Sequence, residues 1–186
     1  MEDLAALLQA MREGEDGAVD QVFALTYREL RELAHQRIRR GTPVTVLDTT
    51  SLVHECYLRL VRLGQIQVRD RAHFLAYAAR VMRSIVVDMV RERLAQRRGG
   101  DELHVTLGTD VPDASSMSEQ QVIRVDEALE ALAQLDERLV KVVEMKYFAG
   151  LTMDEIADAL GVTPRTISRD WEKARLLLFA ALQDQN

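Results

Sequence analysis

The sequence predicts an all-α protein of two small helical domains joined by a flexible linker. Apolar residues recur at three- and four-residue spacing along most of the chain, and no stretch keeps the two-residue alternation of a half-buried strand. The helical period breaks once, at "RRGGDELHVTLGTDVPDASSMSE", residues 97 to 119, where glycines, a proline, serines and acids carry no periodicity. The expected organisation is therefore a first domain over 1–98, a linker over 99–118 and a second domain over 119–186.

The start, "MEDLAALLQAMREGEDG", is acidic and lacks the basic-then-apolar order of a secretory signal. A weak helical pattern covers about 17 to 40 and ends in the basic run "HQRIRRG", with Gly41 as its stop. In "LDTTSLVHECYLRL" and just beyond, Leu52, Val53, Cys56, Tyr57, Leu60 and Leu63 mark one face of an amphipathic helix. Residues 72 to 95 repeat the pattern with Phe74, Leu75, Ala78, Val81, Met82, Ile85 and Met89. After the linker come Val122, Val125, Leu129 and Leu132, then a further helix near 136 to 148.

Composition narrows the function classes. Hydrophobic content of 47% over 186 residues is enough for two small cores, and no apolar run is long enough to indicate a transmembrane span. The single cysteine, Cys56, excludes an internal disulfide and fits a reducing cytoplasm. Net charge is −6, which alone argues against nucleic acid, but the distribution is uneven. Residues 1–100 hold 16 Arg against 13 Asp and Glu, net +3; residues 101–186 hold 8 Lys and Arg against 17 acids, net −9. Every base in the first part is arginine, the residue suited to bidentate phosphate and base contacts. A solvated charged face is the other reading of such runs.

The most specific motif is "LTMDEIADALGVTPRTISRDWEKARLLLFAAL". Thr152 and Glu155 have the spacing of a capping box, and Ile156, Ala157 and Leu160 form one face of a short helix. Gly161 takes the turn, Val162 plugs it from inside, and Thr163 caps a second helix that opens on Pro164. Ile167, Trp171, Ala174, Leu178 and Leu182 make that helix's inner stripe, which leaves Arg165, Thr166, Ser168, Arg169 and Lys173 outward. This is the layout of a helix-turn-helix, whose second helix enters the major groove with its N-terminal end at the bases. Arginines there pair with guanine edges, and hydroxyls reach bases or phosphates. The competing reading is two packed helices with a solvated basic side.

On these residues the chain resembles a bacterial extracytoplasmic-function (ECF) RNA polymerase sigma factor over nearly its whole length. "LTMDEIADALGVTPRTISRDWEKARLLL" is similar to region 4, which reads the −35 promoter element. The resemblance assigns that role to Arg165, Thr166, Ser168 and Arg169, with Lys173 and Arg175 further along on phosphates. "RAHFLAYAARVMRSIVVDMVRERLAQRRGG" resembles regions 2.3 and 2.4, which melt and read the −10 element, through Arg80, Arg83, Ser84, Asp88 and Arg91. In the family an asparagine often stands where this chain has Ser84, and a serine makes fewer hydrogen bonds, so the base preference stays open. "SLVHECYLRL" resembles region 2.2, which docks on the β′ clamp; Asp48, Ser51, His54, Glu55 and Arg59 match that surface. The implied partners are core RNA polymerase (β′ clamp and β flap), promoter DNA, and a regulator such as an anti-sigma factor or a Ser/Thr protein kinase.

The residues of the first domain agree with this reading. Between 80 and 98, Arg80, Arg83, Arg91, Arg93, Arg97 and Arg98 face only Asp88 and Glu92, and such a stripe tracks a phosphate backbone. Capturing an unpaired base offsets part of the unstacking cost of promoter opening. Other chemistry is not expected. The four histidines, 35, 54, 73 and 104, show no metal-ligand pairing with Cys56, no phosphate loop follows a strand, and Asp154 and Glu155 read as helix-start residues. No enzyme activity, cofactor or metal is expected. A stand-alone helix-turn-helix regulator and a sigma-mimicking interaction protein remain as alternatives.

Three hydroxyls, Thr49, Thr50 and Ser51, stand at the mouth of the "SLVHECYLRL" helix. One reading is capping, since Ser, Thr and Asp are the best N-caps, but one cap uses one hydroxyl. The sharper reading follows from the resemblance: family members usually carry more acids here, pairing with arginines of the β′ clamp. Phosphate on Thr50, Ser51 or Thr49 would restore that charge.

Overall fold

The structure, a computed structural model, describes residues 4–39, 48–63, 66–98 and 118–183. Among these residues the fold is all-helical, as expected, and contains no strand. Four helices form the first half: α1 Leu4–Glu13, α2 Ala18–Arg39, α3 Thr49–Leu63 and α4 Arg71–Arg98. The second half holds α5 Glu119–Leu135, α6 Glu137–Val143 with a π-helical turn Glu144–Phe148, α7 Met153–Leu160 and α8 Pro164–Gln183. Among the described residues no helix is long and apolar enough to cross a membrane.

Helix α1 was not anticipated from the acidic start. Leu4, Leu7, Leu8 and Met11 nevertheless hold i, i+3, i+4, i+7 spacing, and Leu8 and Met11 are fully buried. Gly14 and Gly17, with φ of 77° and 79°, turn the chain into α2 in a region that disfavours side chains.

In α3, Leu52, Val53, Cys56 and Leu60 are buried as the pattern requires. Tyr57 is half-buried: its ring packs 4.9 Å from that of Phe23, and its hydroxyl donates 2.7 Å to Asp20 Oδ1. Leu63 departs from the expected face and is 54% exposed. It ends the helix, and Ile66 and Val68 fill the core beyond it.

Helix α4 is the axis of the molecule, 28 residues long and so about 42 Å. The anticipated stripe is in place, with Phe74, Leu75, Ala78, Met82 and Ile85 buried against the first half. Ala79, Val86, Val87 and Val90 are buried as well. Burial is wider than one amphipathic stripe because the second half lies along α4. One apolar cluster runs from Leu8 on α1 through Phe74 and Met82 to Met145, Ile156 and Ile167. A smaller one, Leu129, Leu132, Leu139, Val140, Val143 and Ala174, lies within the second half. Each large apolar side chain buried this way contributes about 1.5–3 kcal/mol.

The expected linker, 99–118, lies outside the described residues except for Ser118, which starts α5. The Gln121 N–H donates 3.2 Å to Ser118 Oγ and the Ser118 N–H donates 2.6 Å to Gln121 Oε1, a reciprocal capping box. The single helix expected near 136–148 is interrupted in character. Asp136 closes α5 and caps α6, accepting from the Arg138 and Leu139 N–H groups, and the last turn widens into the π turn. Such a turn inserts an extra residue and resets which side chains face a neighbour. Here Glu144, its first residue, faces α4 and is buried.

Candidate nucleic-acid interface

The motif 151–183 folds as its residues require. The Glu155 N–H donates 3.2 Å to Thr152 Oγ1, and the Thr152 N–H donates 2.8 Å to Glu155 Oε2. The Thr152 backbone N–H, together with the Thr152 hydroxyl, holds the Glu155 carboxyl below its usual range. Gly161 ends α7 at φ 66°, and the Val162 N–H returns 3.0 Å to Ala157 O. Thr163 Oγ1 accepts 3.3 Å from the Thr166 N–H, and α8 opens on Pro164. Ile167 and Ala174 are fully buried, while Asp170 is buried and ion-paired with Arg138 on α6 (Nη2 to Oδ1 3.1 Å, Nε to Oδ2 2.9 Å). These contacts fix the rotation of α8.

That rotation leaves Arg165, Ser168, Arg169, Lys173 and Arg175 exposed and Thr166 half-buried. Both hydroxyls are bonded locally at the start of α8: Thr166 Oγ1 is 3.0 Å from Thr163 Oγ1, and Ser168 Oγ donates 3.0 Å to Pro164 O. Lys173 Nζ is 3.6 Å from Asp136 Oδ2 and Arg175 Nη1 is 3.2 Å from Glu172 Oε1. Among the described residues, Arg165 and Arg169 form no ion pair with a carboxylate.

The candidates on α4 share one cleft. Arg80, Arg83, Ser84, Asp88 and Arg91 line it together, and Asp126 and Glu130 of α5 close its other side. Arg83 forks between Asp126 and Glu144, its Nη2 3.2 Å from Glu144 Oε1, with its guanidinium 5.8 Å from the Phe148 ring centroid. Arg91 Nη2 is 3.3 Å from Asp126 Oδ2, and Arg80 Nε is 3.8 Å from Glu144 Oε1. Further along, Arg93 (3.5 Å) and Arg97 (2.8 Å) meet the two oxygens of Glu119. Burial raises the Asp126 carboxyl above its usual range, against the opposing pull of Arg83.

Asp126, Glu144 and Glu119 were not singled out in the sequence. Their signal was the charge imbalance: a second half of net −9 beside a first half of net +3. The arginine stripe was expected on open surface, whereas the side chain of Arg83 is 14% exposed.

At the mouth of α3 the cap is Asp48. Its Oδ1 accepts 2.8 Å from the Ser51 N–H, and its carbonyl accepts 3.1 Å from the Leu52 N–H. The Ser51 backbone bond is the chief reason the Asp48 carboxyl sits below its usual range. Thr50, Ser51 and His54 are exposed, and Thr49, Glu55 and Arg59 are half-buried. Leu58 and Val61, both more than two-fifths exposed, give α3 an apolar outer patch beside these polar groups.

A family model described as ECF sigma factor matches residues 1–184. No curated protein matches the chain.

Proposed function

The chain belongs to the ECF sigma factor family, and from that premise we propose that its two helical halves divide promoter recognition between them. Membership supplies the coarser function, an alternative sigma factor that binds core RNA polymerase and promoter DNA in transcription initiation. In the finer reading, the first half, 1–98, binds polymerase and the −10 element, and the second, 119–186, reads the −35 element. The working compartment is the cytoplasm, where polymerase and promoters are.

The observation that carries this reading is the start of α8. A helix held by Ile167, Ala174 and the Asp170–Arg138 pair presents Arg165 and Arg169 to solvent at the end that enters a major groove. Polymerase docking falls to α3, where exposed Leu58 and Val61 adjoin His54, Glu55 and Arg59. The −10 role falls to the α4 cleft residues Arg80, Arg83, Ser84, Asp88 and Arg91.

The proposed regulation acts at Thr49, Thr50 and Ser51. Because Asp48 already caps α3, the cap needs no hydroxyl, and the exposed Thr50 and Ser51 are open to a Ser/Thr kinase. A phosphate there supplies about −1.5 to −2 charge at a helix N-terminus, for arginines of the β′ clamp.

The test is core polymerase plus this protein on a genomic promoter library, with and without kinase treatment. Specific transcripts support the reading. A DNA mobility shift without new transcripts would make it a stand-alone regulator, and neither response would make it a sigma mimic.

A further inference from the structure

We propose that Arg138 and Asp136, at the start of α6, are positioning residues for −35 recognition: through Asp170 they set the roll of α8 about its own axis, and with it the bases that Arg165 and Arg169 reach. The inference rests on the reading of α8 as the −35 helix.

Asp170 stands on a border of α8. Three residues before it and four after, Ile167 and Ala174 are fully buried. Thr166 and Lys173, at the opposite offsets, lie toward the face that carries Arg165 and Arg169. Asp170 itself is only 5% exposed. Acids are almost never this buried unless paired, and on a helix that faces phosphate an open carboxylate would oppose binding.

The partner is Arg138. Its Nη2 donates 3.1 Å to Asp170 Oδ1, and its Nε lies 2.9 Å from Oδ2 as a charge contact outside hydrogen-bond alignment. Arg138 is held at its backbone in turn. Its N–H donates 3.1 Å to Asp136 Oδ1, and the Leu139 N–H donates 3.4 Å to the same oxygen. The other oxygen of Asp136 faces α8 again, with Lys173 Nζ 3.6 Å away. Asp170, Arg138, Asp136 and Lys173 therefore close a ring that ties two successive turns of α8 to the first turn of α6.

The apolar stripe does not supply this constraint. Hydrophobic contact is non-directional, and beside the ring it is made by Ile167 and the single methyl of Ala174. A charged fork on a fixed backbone is directional. Fixing one arrangement is also the best-attested use of a buried ion pair, which adds little net stability over well-packed apolar groups. Roll matters at the bases. Groups about 5–6 Å from a helix axis move about 1.5 Å for a roll of about 15°. A binding constellation has to hold within about 0.5 Å and 10–20°. Releasing the ring should therefore shift Arg165 and Arg169 together.

The experiment uses core polymerase with the full chain, on a promoter from the genomic library randomised over its −35 element. Asp170→Asn removes the buried charge with almost no change of shape. Arg138→Met removes the fork but keeps an unbranched side chain, and a third protein carries both changes. Leu132→Val, a buried change in the same half that leaves the ring in place, controls for lost stability. Arg165→Ala and Arg169→Ala mark the base pairs that those arginines read. An arginine well paired with guanine discriminates about 5- to 150-fold against a wrong base, and each single ring variant should lose about threefold or more of this at both marked base pairs. The double variant should be no worse than Asp170→Asn, because the residues act as one unit. Leu132→Val should keep the unaltered preference.

An unaltered preference in Asp170→Asn, with a melting temperature lowered as in Leu132→Val, would make the ring a stability element and overturn the proposal. So would Arg138→Met weakening every sequence alike beside a silent Asp170→Asn, since Arg138 would then be meeting phosphate directly. If Arg165→Ala and Arg169→Ala themselves leave the preference unchanged, the −35 reading falls, and the inference with it. Should Asp170→Asn lose its cooperative thermal transition, Arg138→Lys carries the comparison, because it keeps the charge opposite Asp170 but not the fork. An unaltered preference there would overturn the proposal.

Discussion

Arg59 on α3 holds Ser84 on α4: its Nη1 donates 3.1 Å to Ser84 Oγ, while its Nη2 lies 2.9 Å from Asp88 Oδ2 in the same cleft. A side chain on the proposed polymerase-docking helix thus positions two of the residues proposed to read the −10 element. Ser84 in turn donates 2.8 Å to Val81 O, so the group standing where family members often have asparagine is anchored to its own helix. Arg59→Ala should therefore change two properties at once. Stability should fall by no more than about 1 kcal/mol, because the pair is partly exposed. Transcription from a library randomised over the −10 element should show altered base preference as well as weaker polymerase binding. An unchanged preference would mean that the Arg59 contacts are only structural.

On α8, Arg169→Ala should cost about 1–3 kcal/mol at a cognate promoter and relax selection at one −35 base pair. Lys173→Ala and Arg175→Ala should weaken binding evenly across sequences and lower its salt dependence. Their effect should be the smaller one, since Asp136 and Glu172 already engage them. Binding to a randomised −35 library reads both outcomes, and an Arg169 variant with unaltered preference would remove it from the base-reading set.

The helix-turn-helix was legible because its signals are local. A capping box, a glycine at positive φ and a Thr-Pro start each act within four residues, and all three stand where the pattern put them. The face of α4 was only half legible. Phe74, Met82 and Ile85 announce one partner by their period, but Val86 and Val87 border Val122 and Val125 of α5, more than thirty residues away in sequence. Asp126 and Glu144 carry no distinguishing signal in the sequence, because an ion pair between distant segments leaves no periodic trace. Helix α1 was hidden for a simpler reason: its acidic flanks mask four well-spaced apolar residues.

The Thr152–Glu155 box gives a stability prediction with a pH signature. Thr152→Ala should cost about 0.5–2 kcal/mol of thermal stability. Glu155 has a folded pKa lowered from 4.5, so its contribution is fully present above that value and is lost as pH falls through the lower folded one. Glu155→Gln keeps an acceptor in the same place but does not titrate. The advantage of the unaltered chain over this variant should shrink as pH falls through and below 4.5. Asp126→Asn should behave oppositely, since burial raises the Asp126 pKa and penalises its charged form as pH rises. Melting temperatures of the three proteins across that range are the measurement, and parallel curves would refute both assignments.

The sequence leaves Thr50 and Ser51 unseparated as acceptors, with Thr49 third, and the α3 mouth gives grounds to choose between them. The Asp48 Oδ1 accepts 2.8 Å from the Ser51 N–H, and the Ser51 side chain adds to the lowering of the Asp48 carboxyl. A phosphate on Ser51 would stand against that carboxylate and lose part of its benefit to like-charge repulsion. Thr50 is exposed and precedes Ser51 in the same first turn, so its phosphate would gain the helix N-terminus without displacing the cap. Thr49 is half-buried and less open to a kinase. Thr50 is therefore the expected acceptor. One to three charge-assisted bonds to clamp arginines, at about 1.5–3 kcal/mol each before ordering costs, would raise polymerase affinity about tenfold to a thousandfold. Kinase-treated protein should show that gain, Thr50→Ala should remove most of it, and Ser51→Ala should keep most of it. Mass spectrometry of the modified chain and titration against core polymerase decide the matter. Full polymerase binding by the unmodified protein, or a gain that survives Thr50→Ala, would leave the three hydroxyls without a switching role.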